Sequence, residues 1–347
     1  MAKNAKKLRV VVLGCGAIAQ RRHLPELTFR KDVEVVAVMD PRLSRAKEVA
    51  AKFNVPNVFE DYKQALKLKP DVVYVCSPNA FHARQSIDAL KAGAHVLVEK
   101  PMAVSMTEAK AMIAAAKAAK KQLMVAHNQR LAPSHVRAKE IYKSGVLGKC
   151  LGFRATFAHG GPDKWSVDGE NCQFFKKDLA VLGALADLGV HKIDLVRWLL
   201  DEDFTQVAGF YGTLDKVGCE VDDTAFAALT TSGGAMGSLF AGWIHKSSCD
   251  NSTVLYCQKG VLRLEDEPNY SVIVEMGNGE RQYIRTAASG TTKENQGTSG
   301  ITDAFIGAIL KGKTVPITAS DAANSLAAVL ACVQSADSGK MVKVKNL

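Results

Sequence analysis

Residues 8–19 read LRVVVLGCGAIA, and this stretch decides the fold. Its first six residues are apolar except for Arg9, which is typical of a β-strand buried on both faces of a sheet. A glycine turn follows at once, and the helical periodicity that begins at Ile18 runs to Phe29. We therefore expect a strand, a tight turn and a helix in direct succession.

The same order of strand and helix repeats as far as His127. The predicted strands are Leu8–Leu13, Val33–Met39, Asn57–Phe59, Val72–Cys76, His95–Val98 and Leu123–Ala126. The predicted helices between them are Ile18–Phe29, Arg42–Phe53, Asp61–Leu66, Ala80–Lys91 and Ser105–Ala119. Because parallel strands are joined by crossover helices, this alternation predicts an α/β fold with a doubly wound parallel sheet.

After His127 the pattern changes. Helical periodicity is seen over Ser134–Tyr142 and Val181–Leu200, and a strand is expected near Leu151–Phe157. Strand-like segments then follow at Val207–Tyr211, Ala225–Thr230, Ser238–His245, Thr253–Gln258 and Val272–Met276, before helices at Ile301–Leu310 and Ser320–Ser335. We predict two domains, 1–127 and 128–347, the second an α+β domain with a mostly antiparallel sheet. The terminal helix, 320–335, is a candidate for packing back on the first domain.

The glycine turn has the spacing of a dinucleotide-binding Rossmann loop. Gly14 permits the tight turn, Gly16 lets a pyrophosphate approach the backbone, and Ala19 allows close packing of helix on strand. Asp40 ends the second predicted strand, 21 residues beyond Ala19, where an acidic side chain binds the ribose hydroxyls of NAD. Arg42 and Arg45 could instead accept the 2′-phosphate of NADP. Taken alone, each feature is also compatible with an ordinary turn.

Two further polar segments follow predicted strands. They are Cys76-Ser77-Pro78-Asn79 and Glu99-Lys100-Pro101. Ligands of open α/β sheets bind at the carboxyl ends of the strands, so both segments are expected to face the same crevice as the glycine loop. The simpler alternative for each is a proline-containing turn.

Asp187 and His191 form a third candidate pair. They are four residues apart and therefore lie on one face if the segment is helical. Histidine exchanges protons near neutral pH, and a carboxylate beside it would orient the ring. For an isolated pair, a surface ion pair within a helix is the alternative.

These motifs, in this order, resemble the Gfo/Idh/MocA oxidoreductases, and the resemblance extends over essentially the whole chain. It implies that His191 is the acid/base, that Lys100 hydrogen-bonds the reacting oxygen, and that Asp187 positions both. The implied cofactor-binding residues are Gly14, Gly16, Ala17, Ile18, Asp40, Arg42, Ser77, Pro78, Asn79, His82, Glu99, Lys100 and Arg130. Substrate contacts are expected from Lys100, Asp187, His191 and Trp165. For Trp165 and its neighbours Asp168, Glu170 and Asn171, a simple surface position is the alternative.

The sequence departs from the family at Lys192, where relatives usually have an apolar residue. The resemblance further implies NAD as cofactor, with NADP possible, a large open sheet used for oligomer contacts, and a homo-oligomer, either dimer or tetramer. The reaction implied is hydride transfer between nicotinamide C4 and a secondary alcohol of a sugar, sugar derivative or cyclitol. The alternatives are a glycoside-cleaving relative that retains NAD and a non-catalytic dinucleotide-binding regulator.

The composition limits which kinds of ligand and partner the chain is expected to bind. The net charge of +10 comes from residues 1–127, which hold 22 basic and 11 acidic side chains. These basic residues are scattered without interleaved aromatic residues, so we expect an anionic cofactor and no nucleic acid. No apolar run approaches the roughly 18 residues of a membrane span. The eight cysteines show no metal-binding spacing, so we expect no metal, and thiols in a reducing, cytoplasmic setting.

Overall fold

A computed structural model describes residues 7–286 and 299–347. These residues form two compact units. The first comprises 7–126 and 299–321, and the second comprises 127–286 and 322–347. None of the helices in these ranges is long and apolar enough to cross a membrane.

The first unit contains the predicted parallel sheet. Its six strands are β1 (Leu8–Leu13), β2 (Val33–Met39), β3 (Asn57–Phe59), β4 (Val72–Val75), β5 (His95–Val98) and β6 (Leu123–Val125). Their order is β3-β2-β1-β4-β5-β6, and all neighbours are parallel. This is the Rossmann order, in which the chain reverses direction across the sheet between β1 and β4. The predicted fold class is confirmed.

The helices that follow these strands are α1 (Leu24–Thr28), α2 (Leu43–Phe53), α3 (Tyr62–Leu66), α4 (Asn79–Lys91) and α5 (Met106–Ala119). One prediction needs correction here. The single helix expected over Ile18–Phe29 is a π-helical turn, Ala19–His23, followed by α1. The wider turn accompanies burial of Arg22 and His23, two polar residues that apolar periodicity would place on the solvent side.

The second unit is built on one nine-stranded sheet. Its strands are β7 (Cys150–Ala158), β8 (Phe204–Gly212), β9 (Thr224–Thr231), β10 (Met236–Gly242), β11 (Thr253–Cys257), β12 (Gly260–Glu267), β13 (Tyr270–Met276), β14 (Arg281–Ile284) and β15 (Val342–Lys343). The order is β14-β13-β12-β11-β7-β10-β9-β8-β15, antiparallel except for β7 beside β10. The sequence prediction omitted β12, β14 and β15, because these strands are rich in charged residues or very short.

Helices α6 (Pro133–Lys143), α7 (Lys177–Ala180) and α8 (Val190–Leu200) belong to this unit. The helix predicted over Val181–Leu200 begins later than expected. Val181 has a φ of +66°, which no α-helix accommodates, and a π-helical turn, Leu185–Gly189, leads directly into α8. The core lies between the sheet and α8, with Phe153 and Leu199 among its buried side chains.

The end of the chain is divided between the units. Helix α9 (Ile301–Leu310) belongs to the first unit, where Phe305 packs on Tyr74 at 5.9 Å. Helix α10 (Ala319–Ser338) belongs to the second unit from residue 322 onward. The sequence prediction had assigned 299–321 to the second domain and had offered 320–335 as the returning segment. Periodicity shows that a helix has an apolar face, but it does not show which sheet covers that face.

A buried ion pair secures α8 within the second unit. The Arg130 guanidinium donates to both oxygens of Asp194, at 2.7 and 2.6 Å, and Ser325 donates to the same carboxylate at 2.9 Å. Arg130 is 6% exposed and Asp194 is 1% exposed. Burial by itself would raise the pKa of Asp194, but the adjacent Arg130, with His127, lowers this pKa to about 2.

Replacing Asp194 by Asn should leave a buried guanidinium without its counter-charge, lowering the free energy of unfolding by about 3–5 kcal/mol at pH 7. All three tryptophans, Trp165, Trp198 and Trp243, lie in the second unit, so denaturation followed by tryptophan fluorescence reports on it. Because the pKa is depressed in the folded state, the stabilisation is complete above the unfolded pKa of about 3.9 and is lost as the pH falls towards 2.

The difference in stability between the wild type and Asp194→Asn should therefore narrow between about pH 4 and pH 2. The control is Asp178→Asn, which changes an exposed carboxylate of the same unit. Equal unfolding free energies for wild type and Asp194→Asn at pH 7 would show that the pair does not stabilise the unit.

Candidate active site

The glycine loop follows β1 in the first unit. Gly14 has a φ of +93°, and a Cβ at this position would lie 2.6 Å from the carbonyl oxygen of Cys76. A Cβ on Gly16 would meet no described atom within 4 Å. Gly14 is therefore required by the packing of the loop against the end of β4, whereas Gly16 borders open space where a pyrophosphate could approach.

Asp40, at the end of β2, is oriented by this loop. One carboxylate oxygen accepts a hydrogen bond from the Cys15 backbone N–H at 3.0 Å, and the other accepts from the Arg42 N–H at 3.0 Å. The Arg42 side chain is half exposed, with its Nε 3.9 Å from the carboxylate. A buried acceptor beside the glycine loop fits the ribose hydroxyls of NAD.

His82 connects the two polar segments predicted to face the crevice. Its ring nitrogens lie 2.8 Å from the carbonyl oxygen of Ser77, after β4, and 2.8 Å from that of Pro101, after β5. Ser77 also donates to Gln85 of α4 at 2.8 Å, and Asn79 is the first residue of that helix, preceded by Pro78. The structure thus brings the two segments together at one edge of the sheet.

Glu99 is held immediately before the candidate Lys100. Its carboxylate lies 2.7 Å from Nε2 of His23 and accepts the Lys100 backbone N–H at 3.2 Å. Burial would raise its pKa, but His23, Arg22 and Lys100 lower it to about 2. His23 was missed by sequence reasoning, because nothing in the residue pattern indicates that a π-helical turn directs it inward. The peptide bond from Lys100 to Pro101 is cis.

The second unit carries Asp187 and His191. Asp187 lies in the π-helical turn and His191 in the first turn of α8, and both are buried. Trp243, at the end of β10, donates its indole N–H to Asp187 at 3.1 Å. The His191 ring packs against Phe157 of β7, with the ring centroids 5.7 Å apart.

Asp222 holds the start of this helical segment. Its two carboxylate oxygens accept the backbone N–H groups of Gly183 at 2.7 Å and Leu185 at 2.8 Å, and its carbonyl oxygen accepts that of Ala184 at 2.8 Å. Sequence reasoning missed both Asp222 and Trp243. The only available signal for Trp243 was its position in a predicted strand, because neither residue belongs to a local motif.

Trp165 belongs to a row of aromatic side chains in the same unit. It packs edge-on against Phe174 at 5.0 Å and His159 at 6.4 Å, and His159 contacts Phe157 at 5.8 Å. Trp165 is half buried, whereas Glu170 and Asn171 are exposed.

Arg130, predicted to bind cofactor, directs its guanidinium to Asp194 in the pair described above. Its assignment to the cofactor, like the roles of the other predicted site residues, stays a prediction. Within the described ranges, no three His, Cys, Asp or Glu side chains are arranged to hold a metal ion.

Comparison with known families decides the classification. Residues 8–127 match the oxidoreductase family with an NAD-binding Rossmann fold, and residues 135–263 match the GFO/IDH/MocA C-terminal domain. The chain belongs to the Gfo/Idh/MocA family. The resemblance inferred from the motifs is confirmed, and so are the oxidoreductase class and the NAD cofactor.

Individual relatives in the Gfo/Idh/MocA family act on sugars and cyclitols. D-glucoside 3-dehydrogenase from Escherichia coli K12 is 32% identical over 66% of this chain and 68% of that enzyme. Inositol 2-dehydrogenase from Rubrobacter xylanophilus is 27% identical over 100% of this chain and 96% of that enzyme. The solved structure of levoglucosan dehydrogenase with NADH and levoglucosan has a TM-score of 0.85 at 24% identity, covers 99% of this chain and 100% of its own, and shows the same fold.

The two glycines of the Gfo/Idh/MocA loop should respond differently to alanine. Gly14→Ala should lower the free energy of unfolding by more than about 2 kcal/mol, because of its positive φ and the contact with Cys76. Gly16→Ala should change stability by less than about 0.5 kcal/mol. It should nevertheless raise the Kd for NADH at least about tenfold, since the methyl group would occupy the space of the pyrophosphate.

Thermal denaturation and NADH fluorescence titration measure the two effects. Gly307→Ala in α9 is the control, because a Cβ there also meets no described atom within 4 Å. Wild-type affinity for NADH in Gly16→Ala would contradict the assignment of the loop.

Proposed function

We propose that this chain is an NAD-dependent dehydrogenase that oxidises a secondary alcohol of a sugar, sugar derivative or cyclitol. The observation that carries the proposal is the buried pair of Asp187 and His191 at the start of α8, with Asp187 held by Trp243. The named activities of the relatives support the substrate class.

His191 acts as the acid/base in this proposal. In the oxidation direction its neutral imidazole accepts the proton of the reacting hydroxyl, and in the reverse direction the imidazolium returns it. Lys100 donates a hydrogen bond to the reacting oxygen. Asp187 orients both groups, and because an indole N–H can only donate, Trp243 keeps the Asp187 carboxylate as an acceptor. Bound NAD supplies the hydride acceptor at nicotinamide C4.

We propose that the cofactor-binding residues named from the sequence hold NAD. The pyrophosphate would lie along Gly14–Ile18, and the ribose hydroxyls would meet the Asp40 carboxylate, which would repel the extra phosphate of NADP. Ser77, Asn79, Glu99 and their neighbours would border the nicotinamide half. The half-exposed Arg42 keeps NADP as the alternative cofactor.

Trp165 is the proposed substrate platform. Its indole packs edge-on against Phe174, in the same aromatic row as the Phe157 ring that supports His191. Aromatic faces pack well on the C–H faces of a sugar or cyclitol ring while the hydroxyls remain available for hydrogen bonds.

The test of this function is a panel of sugars, glycosides and cyclitols with NAD or NADP, followed at 340 nm. The wild type should be active with NAD, and His191→Ala should lower kcat by about 10²–10⁴-fold at neutral pH, because the proton acceptor is lost. His245→Ala is the control, because this half-buried histidine contacts the Ser247 hydroxyl and has no role in the proposed reaction. Undiminished turnover in His191→Ala would exclude the mechanism, and activity with NADP alone would exclude the role of Asp40.

We also propose that the chain forms a homo-oligomer, a dimer or a tetramer, through the outer face of its large sheet. Phe210, Phe226 and Phe240 lie side by side on β8, β9 and β10. Phe210 is 74% exposed and Phe226 is 47% exposed, with Met236 nearby on the same face. A contiguous apolar row on a broad sheet is typical of a protein interface.

Light scattering should therefore give the mass of a dimer or tetramer for the wild type and that of a monomer for Phe226→Glu, because a charge cannot be buried there without a partner. Phe29→Glu is the control, since Phe29 is 84% exposed but lies in the first unit. A monomeric wild type would refute the proposal.

We also propose a cytoplasmic location. All eight cysteines are free thiols, which is typical of proteins in a reducing compartment.

A further inference from the structure

Lys192, the residue after His191, is completely buried in the second unit. Its ammonium group donates to the carbonyl oxygen of Asn251 at 2.5 Å and to the Thr253 hydroxyl at 3.0 Å. Lysine is almost never fully buried without a compensating partner, because desolvating its charge is costly. A lysine at this position must therefore compensate for the cost of burying its ammonium group, and we ask what it does there.

The Phe157 ring connects this charge to His191. The Lys192 ammonium nitrogen lies over the ring, 5.9 Å from its centroid, and the His191 imidazole packs against the same ring at 5.7 Å. A cation attracts the face of an aromatic ring, so Lys192 restrains the surface on which the imidazole rests. The two side chains therefore share one support, as well as being neighbours in the chain.

We propose that Lys192 is a positioning residue for His191, which fixes the imidazole through Phe157 and uses its buried charge to keep the imidazole neutral and ready to accept a proton. This inference rests on the proposed role of His191 in the dehydrogenase reaction. It assigns a function to the residue at which the sequence departs from the family pattern.

The electrostatic part of the proposal depends on the groups around both side chains. Lys192 faces Glu265 of β12, Asp250 and Cys249 before β11, and His135 of α6. Burial lowers the pKa of Lys192 to about 8, against the opposing effect of these acidic groups. In the range where an imidazole titrates, near pH 6.5, Lys192 therefore remains charged.

In the second unit, Asp187, one turn earlier, and His159, which contacts the Phe157 ring from the end of β7, are titratable groups near His191. The proposed reaction also brings the Lys100 ammonium group to the oxygen that His191 deprotonates. Lys100 is the same in every variant compared below, so a difference between the variants reports the charge of Lys192. A unit charge at about 10 Å, in a medium of effective dielectric about 20, shifts a pKa by about one unit. The pKa of His191 should thus be lower with Lys192 than without it.

The experiment compares the wild type, Lys192→Met and Lys192→Arg. In Lys192→Met, the acidic limb of the kcat/KM profile for alcohol oxidation should move up by about one pH unit. In Lys192→Arg, which keeps a cation at this position, the limb should stay close to that of the wild type. General loosening of the fold would not separate the two variants according to their charge.

Lys139→Met is the matched control. Lys139 is also a buried lysine, 8% exposed, that lies over a tryptophan ring, Trp198, at 5.6 Å and donates to carbonyl oxygens at the far end of α8. This variant should lose stability without moving the limb. If Lys192→Met does not fold, Lys192→Gln, whose amide N–H can still donate to the Asn251 carbonyl oxygen, tests the same shift without the charge.

NMR titration of the eight histidines gives a readout that does not require turnover. The His191 signal is identified by its loss in His191→Asn, and its pKa should rise by about one unit in Lys192→Met. An unchanged His191 pKa would overturn the role of Lys192, even if the enzyme oxidises sugars as proposed. A shifted pKa in a protein inactive on every alcohol tested would instead overturn the proposed function and leave the Lys192 effect standing.

Discussion

The missing side chain at Gly14 is the constraint on which the first unit depends. A Cβ at this position would lie only 2.6 Å from the Cys76 carbonyl oxygen, so the ends of β1 and β4 leave no room for a side chain between them. This is the point where the strand order reverses, and it is where ligands of such sheets bind. Because the loop is held at this point, its Cys15 N–H can meet the Asp40 carboxylate. The same sheet edge carries His82, between the Ser77 and Pro101 carbonyls.

In the second unit, polar groups hold the start of the helical segment in place. The segment that carries Asp187 and His191 begins in a π-helical turn, whose backbone N–H groups lack the regular pairing of an α-helix. Asp222 accepts three backbone N–H groups at the start of this segment with its carboxylate and carbonyl oxygens. Trp243, at the end of β10, donates a hydrogen bond to Asp187. Both candidate sites therefore include a π-helical turn, a feature that is frequent at functional sites.

Most of the regular structure could be predicted from the sequence because it depends on local patterns. The strands β1, β2, β3 and β5 occupy the predicted residues, since each is a short, mostly apolar run that alternates with a helix-like segment. The predictions were less accurate where burial contradicts residue type. The charged strand β12 lies inside the sheet, between β13 and β11, because only Leu262 and Leu264 need to face the core.

The residues of the candidate site could also be predicted only in part. Gly14 and Asp40 could be proposed from their spacing, because turns and strand ends are properties of neighbouring residues. Lys100, Asp187 and His191 were proposed because their motifs resemble those of the family. Their partners could not be named from the sequence. His23 lies 76 positions from Glu99, and Trp243 lies 56 positions from Asp187. Such pairs form only when separate elements pack together, and the spacing of residues along the chain does not specify that packing.

The sequence by itself thus determined the parallel sheet and most of the order of the elements, and it supplied the candidates for the chemically active side chains. Only the tertiary structure decided which groups hydrogen-bond to these side chains and which charges lie close to them. It also placed Lys192 in the core beside Phe157, where a residue that periodicity cannot distinguish from a surface lysine becomes a buried cation. The physical reason is that charge states and hydrogen bonds depend on burial and on three-dimensional neighbours, which only packing brings together.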